Sequence, residues 1–226
     1  MIRSTDNVFM SSLTMLTEVK HEIDTSEFMN CGLRLDVVFQ CINVSVEHSI
    51  GVNSLMAADL PIPAMVVLRA QYEAVTRAYW LLYIATNNQI MKINFNWTNE
   101  EQWLSDKFPM ITEMLDKLSK ADLPAKGNIQ HLVEFKKYHL KALNSLVHTG
   151  KHAFIRSSLG FDPSMIDTLM RQSNNLVSAA VHIMFKHSIP DKQHFLLGLH
   201  EKYRECFYME QDVDPNMKAT IDARFK

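Results

Sequence analysis

The residue types that could bind a phosphodiester and move a proton are concentrated in one stretch of the second half of the chain. Lys141, Asn144, Ser145 and His148 project to one side of a helix, provided that the helix continues as far as His148. The lysine can offset charge on phosphorus, and the histidine can act as a general base or acid near neutral pH. The structural alternative is that Asn144 and His148 satisfy one another at a helix end near Gly150.

Histidine spacing also raises the question of a metal site. His148 and His152 stand four positions apart and could share a helix face, but Gly150 interrupts the helix and no third ligand accompanies them. Glu18 and His21 resemble half of a di-iron ligand set, of which the chain has no second copy. We interpret both pairs as coincidences of surface or core positions, and the sequence predicts no metal ligands and no cofactor.

A second informative region is a helix that is apolar nearly all round, over about residues 63–86. Its ionisable side chains, tyrosines aside, are Arg69, Glu73 and Arg77. Because residues four apart share a helix face, Arg69 and Glu73 can form an ion pair inside an otherwise buried helix. Three interpretations remain open: a buried pair that fixes helix register, a pair that orients a histidine of another helix, or an arginine that faces a ligand phosphate.

Charge and composition narrow the class of protein. The chain has 226 residues and a formal net charge of −2, which argues against a protein coated with positive charge for nucleic acid. The segment from His131 to Gly160, called the basic segment below, nevertheless contains five Lys or Arg residues against one acid, Glu134. This local excess indicates either a solvated helix face or an anion-binding site.

No feature of the sequence indicates export or a membrane span. The N-terminal residues lack the apolar core of a signal peptide, and the longest stretch without charge or histidine, Ala78–Met91, is too short to cross a bilayer. The three cysteines follow neither a metal nor a disulfide pattern, which fits a reducing compartment. We therefore expect a cytoplasmic protein without membrane contact.

Helical periodicity dominates the sequence, and the low content of 6 Gly and 7 Pro favours long helices over a turn-rich β fold. The pattern predicts an all-α, single-domain bundle of seven or eight helices over residues 1–210, with a C-terminal tail over 211–226. Residues 87–97 are expected to be a polar connection. The predicted helices cover about residues 6–25, 31–57, 63–86, a short segment after a capping box at Thr98–Glu101, 109–120, 128–150, 163–187 and 191–210.

Together, the two informative regions resemble a group of uncharacterised bacterial all-helical proteins, which are themselves similar to the HEPN superfamily (higher eukaryotes and prokaryotes nucleotide-binding). The resemblance covers about residues 60–185 and rests on an R-x3-E helix followed by a later helix that ends in Ser/Asn, His and Gly. HEPN ribonucleases carry an Arg, four to six residues and then a His on a late helix. Six residues separate Lys141 from His148, so the spacing fits while a lysine replaces the arginine.

The resemblance implies a HEPN-like RNA-directed protein whose enzymatic form is a metal-independent ribonuclease of a toxin or phage-defence system. His148 would transfer the proton, and Lys141 would contact the phosphate. Asn144 and Ser145 would orient these groups. The residues that would bind substrate or support the site are Arg69, Glu73, Lys151 and His152.

The resemblance also implies a homodimer, because HEPN protomers face their motifs across a dimer cleft. Apolar residues on two sides of the third predicted helix favour the same assembly, and two-fold dimers are the commonest oligomers. The alternative function is a non-enzymatic helical module that binds a protein partner, such as an antitoxin or a regulator.

Overall fold

The computed structural model describes residues 4–93, 108–189 and 192–208. Within these residues, the first helices form where the apolar periodicity predicts them. No strand occurs in these residues, which confirms the all-α class. No helix among them is both long and apolar enough to cross a membrane. In chain order the elements are α1 Ser4–Thr25, α2 Leu33–Ala57, α3 Pro61–Tyr83, α4 Asn87–Ile93, α5 Ile111–Lys120, α6 Lys126–Phe135, a π-helical turn Lys136–Leu140, α7 Lys141–Val147, α8 Lys151–Leu159, α9 Pro163–Ser188, α10 Gln193–Lys202 and a 3₁₀ turn Arg204–Cys206.

With α6, the π turn and α7 counted as one continuous helix, the described residues contain nine helices, more than the seven or eight predicted. One source of the difference is α4, which occupies residues 87–93 of the expected polar connection. Thr86 and Gln89 form a capping box: the Thr86 N–H donates to Gln89 Oε1 at 2.9 Å, and the Gln89 N–H donates to Thr86 Oγ1 at 3.3 Å. The predicted capping box at Thr98–Glu101 lies outside the described residues.

The helix α3 lies at the centre of the core and packs against α2, α5, α7 and α9. Its buried tyrosines have hydrogen-bond partners: the Tyr72 hydroxyl donates to the Leu132 carbonyl at 3.1 Å, and the Tyr79 hydroxyl donates to the Ala179 carbonyl at 3.0 Å. Both apolar sides of α3 are therefore covered within one chain. One of these sides is buried at Met65, Leu68, Tyr72, Val75 and Tyr79.

A second, smaller core lies between α1, the end of α9, and α10. The last helix was expected to reach about Glu210, but α10 ends at Lys202, and the chain turns to bury Cys206 and Phe207. The Asn174 amide fixes this turn by donating to the Cys206 carbonyl at 2.9 Å. The predicted tail, 211–226, lies outside the described residues.

A polar layer formed by Ser49, Gln71 and Ser173 crosses the core where α2, α3 and α9 meet. The Gln71 amide nitrogen donates to the Ser173 carbonyl at 2.9 Å, and the Ser173 hydroxyl donates to Gln71 Oε1 at 2.7 Å. The hydroxyls of Ser49 and Ser173 lie 3.2 Å apart. All three side chains are fully buried, so the layer satisfies its own polar groups without water.

Candidate functional site

The two regions singled out in the sequence meet in the folded chain. On α3, Arg69 Nη1 lies 2.6 Å from Glu73 Oε1, as the four-residue spacing predicts. Arg69 Nε also donates to the side-chain oxygen of Asn144 on α7, at 2.5 Å. About a quarter of each charged side chain is exposed, at 26% for Arg69 and 25% for Glu73, so the ion pair is mostly buried, as the apolar helix predicts.

The contact with Arg69 fixes the orientation of the Asn144 amide. A guanidinium can only donate, so the atom of Asn144 that faces Arg69 Nε must be the acceptor Oδ1. The amide nitrogen of Asn144 has no hydrogen-bond partner among the described residues, which leaves two N–H donors for a ligand. Among the described residues no hydrogen bond joins the side chains of Asn144 and His148, and the two residues are bonded only through their backbones.

Lys141 and His148 lie on the exposed side of α7. Lys141 is its first residue, and His148 is the residue that caps it, with its backbone N–H donating to the Asn144 carbonyl at 3.1 Å. The near-helical backbone of His148 keeps the four predicted catalytic positions on one side of α7. These residues thus form an exposed cationic edge beside the Arg69–Asn144 contact.

The helix ends immediately after His148, two residues before Gly150, near which its end was predicted. Thr149 adopts a left-handed conformation with φ 51°, and its N–H donates to the Leu146 carbonyl at 3.3 Å. The Gly150 N–H donates to the Ser145 carbonyl at 2.6 Å, which completes a Schellman motif. The left-handed residue is therefore Thr149, whereas Gly150 was predicted as the cap. His148 and His152 consequently lie on different helices and share no face.

Ser145 and Gly150 form a tight contact that starts α8. Ser145 Oγ accepts the backbone N–H of His152 at 3.1 Å, and so caps α8 from the preceding helix. A Cβ atom at Gly150 would lie 2.7 Å from this hydroxyl, which explains the glycine by close approach, since its φ of −82° is ordinary. In this structure, Ser145 positions the backbone of α8; it does not contact another member of the candidate catalytic group.

The start of α8 adds Lys151, which is exposed, and His152, which is half-buried. The N-terminal end of a helix carries a partial positive charge. The structure thus brings together Arg69 and Glu73 from α3 and Asn144 from α7, which also carries the exposed Lys141 and His148, while Lys151 is exposed at the start of α8, four residues beyond the end of α7. These six residues are called the candidate site below.

Another histidine of the basic segment, His139, points into the core and is excluded from the candidate site. It lies in the π turn and packs on Phe135, whose ring stacks on Tyr72 with centroids 4.6 Å apart. Burial, with a smaller contribution from His131, lowers the pKa of His139 to about 4. The sequence did not distinguish this buried histidine from the exposed His148. Single π turns are frequent near functional sites, and this one precedes α7 directly.

Neither of the two pairs considered for metal binding gains a further ligand in the described residues, where no group of three or more His, Cys, Asp or Glu side chains could hold a metal ion. Glu18 instead accepts hydrogen bonds from Lys202 Nζ at 2.5 Å and from the Tyr203 hydroxyl at 2.6 Å. These contacts lower the pKa of Glu18, with the Lys202 hydrogen bond as the first cause. Glu18 thus ties α1 to the end of α10.

Comparison with known proteins gives a family without an assigned activity. The model of a family of unknown function, DUF6988, matches residues 42–209 and so includes every residue of the candidate site. No curated protein matches the chain. No solved structure matches it either. Since the family model covers most of the sequence, the chain belongs to the DUF6988 family.

Proposed function

We propose that this member of the DUF6988 family is a HEPN-like RNA-directed protein that cleaves RNA without a metal ion, as in toxin or phage-defence systems. The observation that carries the proposal is the hydrogen bond from Arg69 to Asn144. It holds a guanidinium beside the helix that bears Lys141 and His148. An arginine has more N–H donors for phosphate than a lysine. With Nε on Asn144 and Nη1 on Glu73, Arg69 keeps Nη2 for a ligand where the resemblance leaves a lysine in the arginine position.

The chemistry that fits these groups is transfer within the RNA chain. The 2′ oxygen attacks the adjacent phosphorus and loses its proton, the new oxygen–phosphorus bond forms, and the bond to the 5′ oxygen breaks as that oxygen gains a proton. The products are a 2′,3′-cyclic phosphate and a 5′ hydroxyl. His148 is the proton-transfer group, and the Asn144 amide and the cations of Lys141 and Lys151 bind the charged phosphate.

The test is cleavage of a single-stranded RNA by the purified full chain in the presence of EDTA. We expect His148→Ala to lower the rate by a factor of about 10²–10⁴, since this is what a proton-transfer group contributes. Lys141→Arg should preserve or raise the rate, because it supplies the forked donor. The matched control is His194→Ala, which removes another exposed histidine, on α10. Circular dichroism checks that each variant keeps its helical fold.

Several outcomes would reject the enzymatic proposal. Wild-type protein that neither binds nor cuts RNA, with His148→Ala indistinguishable from it when expressed in cells, would leave the non-enzymatic module as the function. Equal losses of cleavage rate in His148→Ala and His194→Ala would also count against a specific role for His148. The non-enzymatic alternative has its own support in the exposed apolar side chains of α8, Phe154 and Leu159.

The homodimer stays a prediction that rests on the resemblance. The argument from α3 no longer supports it, because both apolar sides of that helix are covered by other helices of the same chain. Light scattering at micromolar concentration tests the prediction directly. A monomer would remove the dimer cleft from the proposal without deciding whether the candidate site binds RNA.

A further inference from the structure

The helix α8 uses one side for packing and leaves the other open. Ala153 is buried and faces α7 and α3. At 100° per residue, Phe154, Ile155 and Leu159 lie on the opposite side together with Lys151. Phe154 is 66% exposed and Leu159 is 80% exposed, although both are large apolar side chains. Adjacent exposed apolar side chains on one helix face mark an interaction surface more often than isolated ones do.

Cations predominate in the sequence around this face, where the next acid along the chain, Asp162, caps α9. From Phe135 to Phe161 the sequence contains no Asp or Glu, while it contains five Lys or Arg residues. Lys151 is exposed at the first turn of α8, where the helix terminus adds a partial positive charge. The Arg156 side chain already has a partner in the same molecule, because its Nη1 donates to the Gly160 carbonyl at 3.3 Å. The apolar face is therefore positive at its N-terminal end, without a nearby carboxylate on α7 or α8.

Charge complementarity selects the occupant. A second copy of the face would bring the same cations together, and it has no carboxylate on α7 or α8 to pair with them. RNA would satisfy the cations but would leave the aliphatic Ile155 and Leu159 without apolar partners. We propose that α8 binds an amphipathic helix of a partner protein, whose apolar stripe covers Phe154, Ile155 and Leu159 and whose acidic residues face Lys151.

The dimensions set the length of the partner segment. The nine residues of α8 span roughly 14 Å at 1.5 Å per residue, so a helix of about three to four turns covers the face. Lys151 lies on this face, and the proposed function, on which this step rests, also assigns Lys151 to phosphate binding. The partner helix and RNA should therefore compete, which would make the bound partner an inhibitor of RNA binding.

The experiment uses the full chain and two synthetic helical peptides with the same leucine stripe. One peptide carries glutamates beside the stripe, and the other carries lysine at each of those positions. We expect fluorescence anisotropy to show the acidic peptide binding at least about tenfold more tightly than the basic one. The double variant Phe154→Ser/Leu159→Ser should weaken this binding at least about tenfold. Lys151→Glu should bind the acidic peptide no more tightly than the basic one.

The matched control is Leu197→Ser, which removes an equally exposed leucine, 65% exposed on α10, and should leave peptide binding unchanged. RNA binding by Phe154→Ser/Leu159→Ser should also remain, since neither residue belongs to the candidate site. The proposal is overturned if the acidic peptide fails to bind or binds the double variant as well as wild type. Loss of RNA binding in the double variant would instead assign the face to RNA, and loss of self-association would assign it to a second copy.

Discussion

Two polar regions both include residues of α3, and they differ in how completely their side chains are buried. Gln71 of α3 belongs to the polar layer, which is fully buried and contains amide and hydroxyl groups alone. Arg69 and Glu73, two residues to either side, belong to the candidate site and are about a quarter exposed. Burying a charge costs much more than burying a hydrogen-bonded amide. The chain thus uses neutral groups where water is excluded and charged groups where water still reaches the side chains.

The regions also differ in whether they are closed. In the polar layer, both polar atoms of Gln71 bond to Ser173. In the candidate site, the oxygen of Asn144 is held by Arg69, while its amide nitrogen has no partner among the described residues. A buried layer whose polar atoms bond to one another fixes how the helices pack, whereas a site with an unpaired donor can bind a ligand. This contrast predicts that changes in the layer alter stability, and that changes in the candidate site alter binding more than stability.

The largest stability effect is expected at Gln71. Gln71→Ala leaves the Ser173 hydroxyl without its acceptor and opens a cavity in a fully buried layer, so we expect a loss of about 3 kcal/mol in the free energy of unfolding. Urea denaturation measures it. The control replaces the whole layer, with Ser49→Ala, Gln71→Leu and Ser173→Ala combined, and should recover much of the loss because no polar group is stranded. A triple variant less stable than Gln71→Ala would contradict the idea of a replaceable layer.

A pH-dependent effect separates the buried and exposed histidines of the basic segment. The pKa of His139 is about 4 in the folded chain against an ordinary value of 6.5. The unfolded chain therefore binds the proton first, so this stability is fully present above pH 6.5 and is lost as pH falls toward about 4. As the pH falls over this range, the free energy of unfolding of wild type should drop by up to about 3 kcal/mol more than that of His139→Leu, which has no such proton to bind. Denaturation at pH 7 and pH 4.5 checks it, and parallel losses in both proteins would contradict it.

A smaller loss of stability is expected at Arg69. Arg69→Met keeps the aliphatic stem and removes the guanidinium, so Glu73 and the Asn144 oxygen lose their partner. Partial exposure limits the cost to about 1–2 kcal/mol, less than for a fully buried pair. Lys20→Met is the control, because Lys20 and Asp24 form an exposed pair of the same spacing, which should contribute little. If Arg69→Met costs as little as the control while RNA binding is unchanged, the Arg69 contact has neither role.

The sequence predicted contacts within one helix better than contacts between helices. The Arg69–Glu73 pair follows from four-residue spacing, and the Asp162 cap of α9 follows from residue type: Asp162 Oδ1 accepts the Ser164 N–H at 2.8 Å. The bond from Arg69 to Asn144 joins residues 75 positions apart, and depends on how α7 packs on α3. Charges inside an apolar helix do predict a polar partner, on the same helix or on the helix of residues 138–152, but spacing does not identify Asn144 as that partner.

Two local features show different reasons for failure. The capping box Thr86–Gln89 is visible in the sequence as T-x-x-Q. The helix it starts was missed because the residues after it are polar and the helix is short. Gly150 indicated the interruption between His148 and His152, but the left-handed position at Thr149 was not readable, since a β-branched threonine is a poor candidate for it when a glycine follows. Which residue takes that position could therefore be learned only from the structure.

The next prediction concerns the close contact that separates these histidines. A Cβ atom at Gly150 would lie 2.7 Å from Ser145 Oγ, so Gly150→Ala must displace the hydroxyl that caps α8, at a cost of about 1–2 kcal/mol. In a Ser145→Ala background the hydroxyl is gone, and the Gly150→Ala step should cost less. Gly127→Ala is the control, since nothing lies within 4 Å of its Cβ position. Additive losses in the double variant would show that the two residues do not interact.

The smallest effect, and the only stabilising one, is expected at Thr149. A left-handed conformation costs an ordinary residue about 1–2 kcal/mol, and glycine avoids that cost while losing about 0.5–1 kcal/mol of chain entropy. With φ at 51°, Thr149→Gly should raise the free energy of unfolding by about 0.5–1 kcal/mol, whereas Thr149→Ala keeps a Cβ and should gain less. Strained backbone persists where the surroundings hold it, often beside functional residues. Because Thr149 directly follows His148, we expect RNA cleavage by Thr149→Gly to fall while its stability rises. Cleavage and stability that rise together would show that the strain at Thr149 does not serve the candidate site.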